Sequence, residues 1–307
     1  MPSDPLYIAY DPVYKHPLPE DHRFPMLKYE LIPEQLIHEG SITHHQLHRP
    51  RACPDEFILK THTRDYLYQL IELNLSPREQ RKIGFELSDL LIERERIITQ
   101  GTIDCAFAAL DKGIAFNVAG GTHHAFADRG EGFCIFNDFA VAANLLLAQK
   151  KAKQILIVDL DVHQGNGTAR IFEQEQRVFT FSMHGEHNYP FHKEKSDLDI
   201  PLKDGTDDHT YLSLLRHHLM RLMERIKPDF IFYLSGVDVL QTDKFGKLKI
   251  TMEGCVQRDE IVFETAHRFQ IPCVVAMGGG YSPKIQTIVE AHCNTFRTAI
   301  KIYNLTS

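Results

Sequence analysis

An apolar run that ends in two carboxylates and an imidazole constrains this chain more than any other sequence feature. Residues Ile155-Leu156-Ile157-Val158 form a short run rich in β-branched side chains, which is typical of a strand buried in a parallel sheet. The next five residues are Asp159-Leu160-Asp161-Val162-His163, and residues 168–172 then have a helical pattern. The polar side chains are therefore predicted at the carboxyl end of a strand, where open parallel sheets bind ligands.

Within this stretch, the spacing of Asp161 and His163 favours a metal site. The two residues are two positions apart, so on an extended chain they point to the same side, and together they offer an oxygen and a nitrogen ligand for zinc. A hydrogen-bonded turn is an alternative for this stretch alone. A phosphate-binding loop at Gly165-Asn166-Gly167 is another, but that loop contains no lysine.

Three further apolar runs also end in residues with catalytic chemistry. Each residue alone has an ordinary structural explanation: a satisfied histidine, an aspartate that caps a helix, a tyrosine packed beside a loop. Taken together, they match a hydrolytic zinc site that has three protein ligands and one open position. The three strand-end segments are Gly120-Gly121-Thr122-His123-His124, Ser235-Gly236-Val237-Asp238 and Gly278-Gly279-Gly280-Tyr281.

The order of apolar and amphipathic segments predicts an α/β fold with parallel strands and helices on both faces of the sheet. The 307 residues are enough for one large domain or two small ones. The predicted helical region 77–112, with a break near Gly101, has no neighbouring strand and is expected to form a small helical outgrowth. Strands are predicted at 6–9, 113–118, 154–158, 177–183, 230–234 and 272–276, and the other helices at 136–150, 208–225, 252–268 and 283–302.

Composition excludes several classes of protein. No apolar run reaches the roughly 18 residues of a membrane span, and the opening Met1-Pro2-Ser3-Asp4-Pro5 lacks the features of a signal peptide. The six cysteines have no Cys-x-x-Cys spacing and indicate free thiols in a reducing compartment, so we expect a cytoplasmic protein. The net charge of −7 argues against general nucleic-acid binding.

The motifs occur in an order that resembles the zinc-dependent histone deacetylase family. The resemblance covers nearly the whole chain and implies one catalytic domain, residues 1–307, built on a single open parallel sheet of about eight strands flanked by helices. The motifs that carry it are Gly121–Ala125, Gly132–Asp138, Asp159–Gly167, Ser235–Asp238 with Asp243, and Gly278–Tyr281, and weaker matches are His22–Pro25 and His62–Leu67.

This resemblance implies roles for the strand-end residues. One zinc ion is expected on Asp161, His163 and Asp238, with His123 facing Asp159 and His124 facing Asn166. A carboxylate partner raises the pKa of a histidine more than an amide does, so His123 is expected to be the cation and His124 the base and then the acid. Tyr281 is expected to donate a hydrogen bond to the oxyanion, on a loop made flexible by its glycines.

Further site residues follow from the same resemblance. Phe133 and Tyr189 match positions that form the wall of an acyl-lysine tunnel, next to Gly132 and Gly279. Arg23 matches a position that lines the internal cavity for the carboxylate product, although a structural ion pair is an equal alternative. Asp159, Asp161, His163 and Ser182 match a site for a monovalent cation such as K⁺.

The leading functional hypothesis is hydrolysis of an acyl group from lysine or a similar amine. Asn166 replaces the aspartate that is usual in class I members, and with Gln164 it favours class IV and its bacterial relatives. An acetyl or short acyl group is expected, because a charged Arg23 would solvate a fatty chain poorly. The alternatives are a long-chain deacylase, an acetyl-polyamine deacetylase, a two-metal ureohydrolase and a binding module without activity. The sequence does not indicate an oligomeric state.

Overall fold

A sheet of eight parallel strands runs through the computed structural model, which describes residues 6–305. The residues on which the signal-peptide argument rested, Met1 to Pro5, lie outside the described residues. The strand order is β2-β1-β3-β8-β7-β4-β5-β6. The strands are β1 (Tyr7–Ala9), β2 (Leu47–His48), β3 (Ile114–Asn117), β4 (Ile155–Asp159), β5 (Val178–Gly185), β6 (Leu198–Leu202), β7 (Phe230–Leu234) and β8 (Cys273–Ala276).

The four central strands end in register. Every residue of β3, β4, β7 and β8 is buried, because helices cover both faces of the sheet, and this explains their continuous apolar sequences. Asp159 pairs with Leu234, Leu234 pairs with Ala276, and Ala276 pairs with Asn117. The loops that follow these residues therefore leave the sheet side by side at one edge.

Ten helices surround the sheet in the described part of the chain. The longest, α5, begins after the Ser88 side chain caps its first turn and ends at Gly113, whose φ of 83° leaves the helical region. The helices are α1 (Lys28–His38), α2 (Asp55–Ile58), α3 (Arg64–Ile71), α4 (Pro77–Ile83), α5 (Asp89–Lys112), α6 (Asp138–Ala148), α7 (Asn166–Phe172), α8 (Asp208–Ile226), α9 (Met252–Arg268) and α10 (Ile285–Tyr303).

The predicted α/β class and parallel sheet are confirmed, and all six predicted strands are present. The two additional strands lie at the edges of the sheet. β2 has only two residues, and β6 contains Asp199 and Pro201, so neither has the apolar run by which a strand is recognised. Pro201 is tolerated because an edge strand needs fewer backbone donors.

The prediction for residues 77–112 was wrong in two respects. The break lies between α4 and α5, at residues 84–88, whereas Gly101 is inside α5. A Cβ atom at Gly101 would lie 2.5 Å from the Tyr14 hydroxyl, so this glycine allows close packing rather than a helix end. In addition, α5 is no outgrowth, because it packs against β1, β3 and β8 and covers one face of the sheet.

A buried arginine ties α9 to the ends of the central strands. Arg258 is fully buried and pairs with Asp259 at 2.8 Å. Its guanidinium also donates to the Gly236 carbonyl at 2.5 Å and the Ser235 carbonyl at 3.3 Å, just beyond β7. Arg258 therefore fixes the segment that leads to Asp238.

None of the helices within residues 6–305 is long and apolar enough to cross a membrane. All six cysteines are buried and none forms a disulfide. Burial raises the pKa of the Cys105 thiol well above its ordinary value, so this thiol stays protonated.

The first prediction concerns Arg258. Replacing Arg258 with Met should lower the free energy of unfolding by about 3–5 kcal/mol, because Asp259 would keep a buried charge without its cationic partner. Urea unfolding followed by circular dichroism measures the change. The matched control is Arg177→Met, which breaks an exposed pair with Glu175 and should leave the unfolding midpoint nearly unchanged. Equal midpoints for the two variants would contradict the role of Arg258.

Candidate active site

A cavity of about 940 Å³ opens at the edge where the central strands end. Its lining includes the loops after β3, β4, β7 and β8, which the register of the sheet brings together. The predicted residues that line this cavity include His123, His124, Asp161, His163, Asp238 and Tyr281.

Three side chains converge at the base of the cavity. His163 Nδ1 lies 3.0 Å from Asp161 Oδ1 and 3.2 Å from Asp238 Oδ2. Ligand atoms from these three residues all lie within 4.8 Å of one another, the only such group of three or more among residues 6–305. β4 and β7 are adjacent, so ligands that are 75 residues apart in sequence, His163 and Asp238, become neighbours.

The backbone leaves one oxygen of Asp238 free. Asp238 Oδ1 accepts a hydrogen bond from the Val162 N–H at 2.9 Å, whereas Asp238 Oδ2 is buried and has no hydrogen-bond partner. A buried carboxylate oxygen without a partner is costly unless it binds a cation. The oxygen, nitrogen and oxygen donors also suit a zinc-type ion, so these residues fit the metal that the sequence implied.

Electrostatics at the cluster favour added positive charge. Burial and the nearby Asp161 carboxylate raise the pKa of Asp238 to about 7. Burial lowers the pKa of His163, but the hydrogen bond to Asp161 and the negative charges of Asp161 and Asp238 outweigh burial and raise this pKa to about 10. The cluster therefore attracts cations, whether protons or a metal ion.

The two adjacent histidines have different partners. His123 Nδ1 lies 2.8 Å from Asp159 Oδ2, and His124 Nδ1 lies 2.7 Å from Asn166 Oδ1. The amide oxygen of Asn166 can only accept, so Nδ1 of His124 donates and its Nε2 carries the lone pair. The structure thus brings together the two pairs that the motif implied.

The partners separate the pKa values of the two histidines. Burial lowers the pKa of His123, but the charge and hydrogen bond of Asp159 outweigh burial and raise it above the ordinary value. Burial lowers the pKa of His124 well below its ordinary value, and the charges of His123 and His163 lower it further. His124 is therefore neutral over a wide pH range, and His123 is the more readily protonated of the two.

Asp138 organises the loop that carries the histidines, a role that the sequence motif did not reveal. This fully buried residue at the start of α6 accepts hydrogen bonds from the Gly121 N–H at 3.1 Å and the Thr122 N–H at 2.9 Å. A Cβ atom at Gly120 would lie 2.4 Å from the Asp138 carboxylate. The loop therefore needs glycine to wrap around Asp138.

The glycine loop after β8 is held by hydrogen bonds on both sides. The Gly279 N–H donates to Asp161 Oδ2 at 2.8 Å, and the Tyr281 N–H donates to Asp243 Oδ2 at 2.6 Å. A Cβ atom at Gly279 would lie only 2.0 Å from Asp238 Oδ2. The interpretation of these glycines as a source of flexibility is therefore revised: Gly279 allows the backbone to contact the carboxylates of Asp161 and Asp238.

Tyr281 lies between aromatic rings above the cluster. Its ring centroid is 5.2 Å from that of Phe245 and 6.3 Å from that of Phe133. Burial, followed by the charges of Asp238 and Asp161, raises the pKa of Tyr281 well above its ordinary value. The hydroxyl therefore stays protonated and can donate a hydrogen bond.

Phe133 and Tyr189 line the cavity, as does Gly132. Tyr189 places its ring edge against His124, at 4.9 Å between centroids, and donates its hydroxyl to Glu131 at 2.9 Å. Phe133 has a φ of 67°, and its ring is 5.1 Å from that of Phe24. Their role as the wall of an acyl-lysine tunnel stays a prediction.

Arg23 does not line an internal cavity, nor does it form a buried ion pair. It is exposed at the cavity mouth, where its guanidinium lies 5.0 Å from the Phe133 ring and 5.6 Å from the Phe245 ring. Stacking on these rings keeps the charged group in water, which avoids the cost of burying it.

Lys28, which sequence reasoning missed, occupies the interior. It is 1% exposed and donates from Nζ to the Gly278 carbonyl at 2.6 Å. Burial lowers its pKa to about 8, although Asp238 and Asp161 act in the opposite direction. A charged residue on the apolar stripe formed by Tyr29, Ile32 and Leu36 of α1 was the signal that could have identified it.

The predicted site for a monovalent cation stays a prediction. Ser182 pairs with Asp159 across β4 and β5, but the Ser182 hydroxyl lies 2.9 Å from His184 Nδ1. Asp161 and His163 belong to the three-residue cluster described above.

Comparison with known proteins agrees with the geometry. Residues 22–296 match the histone deacetylase domain. An uncharacterized protein of Picosynechococcus sp. is 43% identical over 96% of this chain and 99% of its own length. Histone deacetylase 2 of Arabidopsis thaliana is 30% identical over 85% of this chain and 70% of its own length.

A solved structure supports the same assignment. The crystal structure of an HDAC homologue complexed with SAHA superposes with a TM-score of 0.80 and 26% identity, over 97% of this chain and 88% of that chain. The domain match covers most of the chain, and the TM-score shows that the overall fold is shared. The chain therefore belongs to the histone deacetylase family and is a hydrolase of the deacetylase type.

Proposed function

We propose that this protein is a zinc-dependent deacylase that removes acetyl or short acyl groups from lysine side chains or similar amines. The observation that carries the proposal is the convergence of Asp161, His163 and Asp238 at the base of a cavity that also contains a histidine pair with unequal partners. We further propose that the chain acts as one catalytic domain, because the site draws on loops from most of its length.

Asp161, His163 and Asp238 would hold one zinc ion. When bound, zinc supplies Lewis acidity at the amide carbonyl and lowers the pKa of a water molecule. Two negative ligands reduce this acidity, so a protein base is needed. His124 lines the cavity and has a lowered pKa, and it would accept the proton of the attacking water at Nε2.

The same histidine would then return the proton to the leaving amine. His123, with its raised pKa beside Asp159, would remain the positively charged neighbour. Tyr281, which stays protonated, would donate its hydroxyl to the carbonyl oxygen as negative charge develops there. Phe133 and Tyr189 would contact the methylene stem of the lysine.

Other functions have less support. A two-metal ureohydrolase would need a second set of ligands, but Gln164 directs its amide to Asp199 at 2.8 Å, away from the cluster. A binding module without activity would have no need for a neutral His124 beside a cationic His123. The six buried free cysteines support a reducing compartment such as the cytoplasm.

A short acyl group is supported by Lys28 rather than by Arg23. A fatty chain that extended past Gly278 would meet the buried Lys28 amine, which solvates an alkyl chain poorly. In a series of acyl-lysine peptides, kcat/KM should therefore be highest for acetyl or short acyl groups. A preference for myristoyl-lysine over acetyl-lysine would contradict this proposal.

The metal requirement tests the proposed function directly. Purified protein should hydrolyse acetyl-lysine peptides, contain one zinc per chain by elemental analysis and lose activity to a chelator. Asp238→Asn should lose most of the zinc, because a neutral amide replaces a carboxylate ligand. Asp229→Asn changes the same residue type away from the cavity and should retain it. Two tightly bound ions per active chain would favour the ureohydrolase instead.

Tyr281 tests the separation of binding from chemistry. Tyr281→Phe should lower kcat by about 10²–10³-fold, because one oxyanion donor is lost, while zinc content stays at one per chain. The exposed Tyr68→Phe is the matched control and should retain wild-type kcat. Wild-type turnover by Tyr281→Phe would remove this tyrosine from the mechanism.

Asn166 tests the assignment of the base. Asn166→Asp would place a carboxylate 2.7 Å from His124 Nδ1 and raise the pKa of His124. Because the base must be neutral, activity would then be lost at a higher pH on the acidic side of the kcat/KM profile. Asn294→Asp, which adds the same charge beside Arg297, should leave the profile unchanged. An unmoved acidic limb in active Asn166→Asp would mean that His124 is not the base.

A further inference from the structure

The mouth of the catalytic cavity is cationic, although the protein as a whole has a net charge of −7. Apart from the metal-ligand residues at the base, the lining contains only two carboxylates, Glu131 and Glu194. Six basic side chains belong to the same lining, and we call them the cationic rim: Arg23, Arg81, Lys82, Arg129, Lys244 and Lys247.

Half of the cationic rim has no anionic partner among residues 6–305. Lys82 and Arg129 share Glu131, at 3.7 and 3.1 Å, and Lys247 lies 3.9 Å from Asp204. Within residues 6–305, the other three form no ion pair: Arg23, Arg81 and Lys244. Their charge is therefore available to a substrate.

Two of the three unpaired cations, Arg23 and Lys244, belong to parts of the mouth that are held by local contacts. Arg23 lies over the rings of Phe133 and Phe245, which also flank the site. The loop with Lys244 and Phe245 is closed by Asp243, which accepts hydrogen bonds from the Phe245 and Gly246 N–H groups at 2.8 Å. Asp243 also binds the Tyr281 N–H, so this part of the rim is tied directly to the catalytic loop.

We infer that the preferred substrate is an acyl-lysine whose flanking residues are acidic. This inference rests on the proposed deacylase function and concerns what lies outside the cavity. The rim cations come from separate segments, before α1, in α4, before α6 and after β7, so they surround the mouth. That spacing suits carboxylates along an extended peptide on both sides of the lysine better than a single phosphate group.

The rim also disfavours cationic substrates. Exposed charges act over roughly 8 Å at physiological salt, so the rim affects residues next to the acyl-lysine but not distant parts of a partner. A lysine- and arginine-rich peptide, or an acetylated polyamine, would bring like charges to the mouth. Acidic flanks should therefore lower KM, and basic flanks should raise it.

Three acetyl-lysine peptides of equal length, with acidic, neutral or basic flanks, test the inference. At low ionic strength, kcat/KM should be about 3- to 10-fold higher for acidic than for neutral flanks, with the difference in KM. Basic flanks and an acetylated polyamine should give lower values than the neutral peptide. Added salt should reduce all of these differences.

Charge-reversal variants locate the effect. Lys244→Glu and Arg81→Glu should reduce the preference for acidic flanks and, together, abolish it. Lys151→Glu changes the net charge equally at the opposite end of β4 and should retain the preference. Equal kcat/KM values for the three peptides, or a preference for basic flanks, would overturn the inference. The proposed deacylase function would still hold in that case, provided that the neutral peptide is hydrolysed.

A binding assay separates the two proposals. In Tyr281→Phe, fluorescence anisotropy should give the lowest Kd for the peptide with acidic flanks. If no peptide were hydrolysed by the unmodified enzyme, the proposed function would fail, and the order of Kd values would still decide the role of the rim. Two competitors, single-stranded RNA and an unacylated acidic peptide, can then be compared for displacement of the bound acidic peptide. If the RNA displaces it at lower concentrations than the unacylated peptide does, the assignment to peptides is overturned.

Discussion

The structure depends on the burial of two carboxylates side by side, at the ends of β4 and β7. Asp161 and Asp238 would repel each other in a dry site, and backbone N–H groups stabilise both of them. Gly279 and His163 donate to the two oxygens of Asp161, and Val162 donates to Asp238 Oδ1. Asp161 Oδ1 and Asp238 Oδ2 also face the His163 ring. This arrangement explains why residue 279 is glycine. Its backbone N–H must come close enough to donate to Asp161, and a Cβ atom at this position would collide with the Asp238 carboxylate. Arg258 supports the same arrangement from the interior, because it donates to the Gly236 carbonyl in the segment that leads to Asp238.

Most of the fold was predictable because the central strands are buried on both faces. Such strands are apolar except at their ends, and β4, β7 and β8 were recognised on that basis. Edge strands do not have this requirement, so β2 and β6 were missed. The interior position of Gly101 was also not predictable, because glycine is typical of helix ends and its role here depends on Tyr14, which is distant in sequence.

The catalytic side chains were predicted better than their surroundings. Short motifs identified the cluster and the histidine pair, because those residues act through their own chemistry at a strand end. Residues that act through long-range contacts gave weaker signals. Asp138 holds the histidine loop and Lys28 holds the glycine loop, but the hydrogen bonds that define those roles join distant parts of the chain. Arg23 was assigned to the interior because a motif gives sequence position but not the direction of a long side chain.

In the strand order, β8 lies between the strands that precede the two halves of the site: β4 and β7 on one side, and β3 on the other. β4 and β7 are adjacent, and the segments that follow them contain all three residues of the Asp161, His163 and Asp238 cluster. β3, which precedes the histidine pair, is separated from them by β8, a strand from much later in the chain. β8 therefore supplies the pairing that joins β3 to β7, and the loop after it carries Tyr281. A chain that ended before β8 would keep Asp161, His163 and Asp238, but it would lack Tyr281 and the strand through which the loop with His124 is attached beside them.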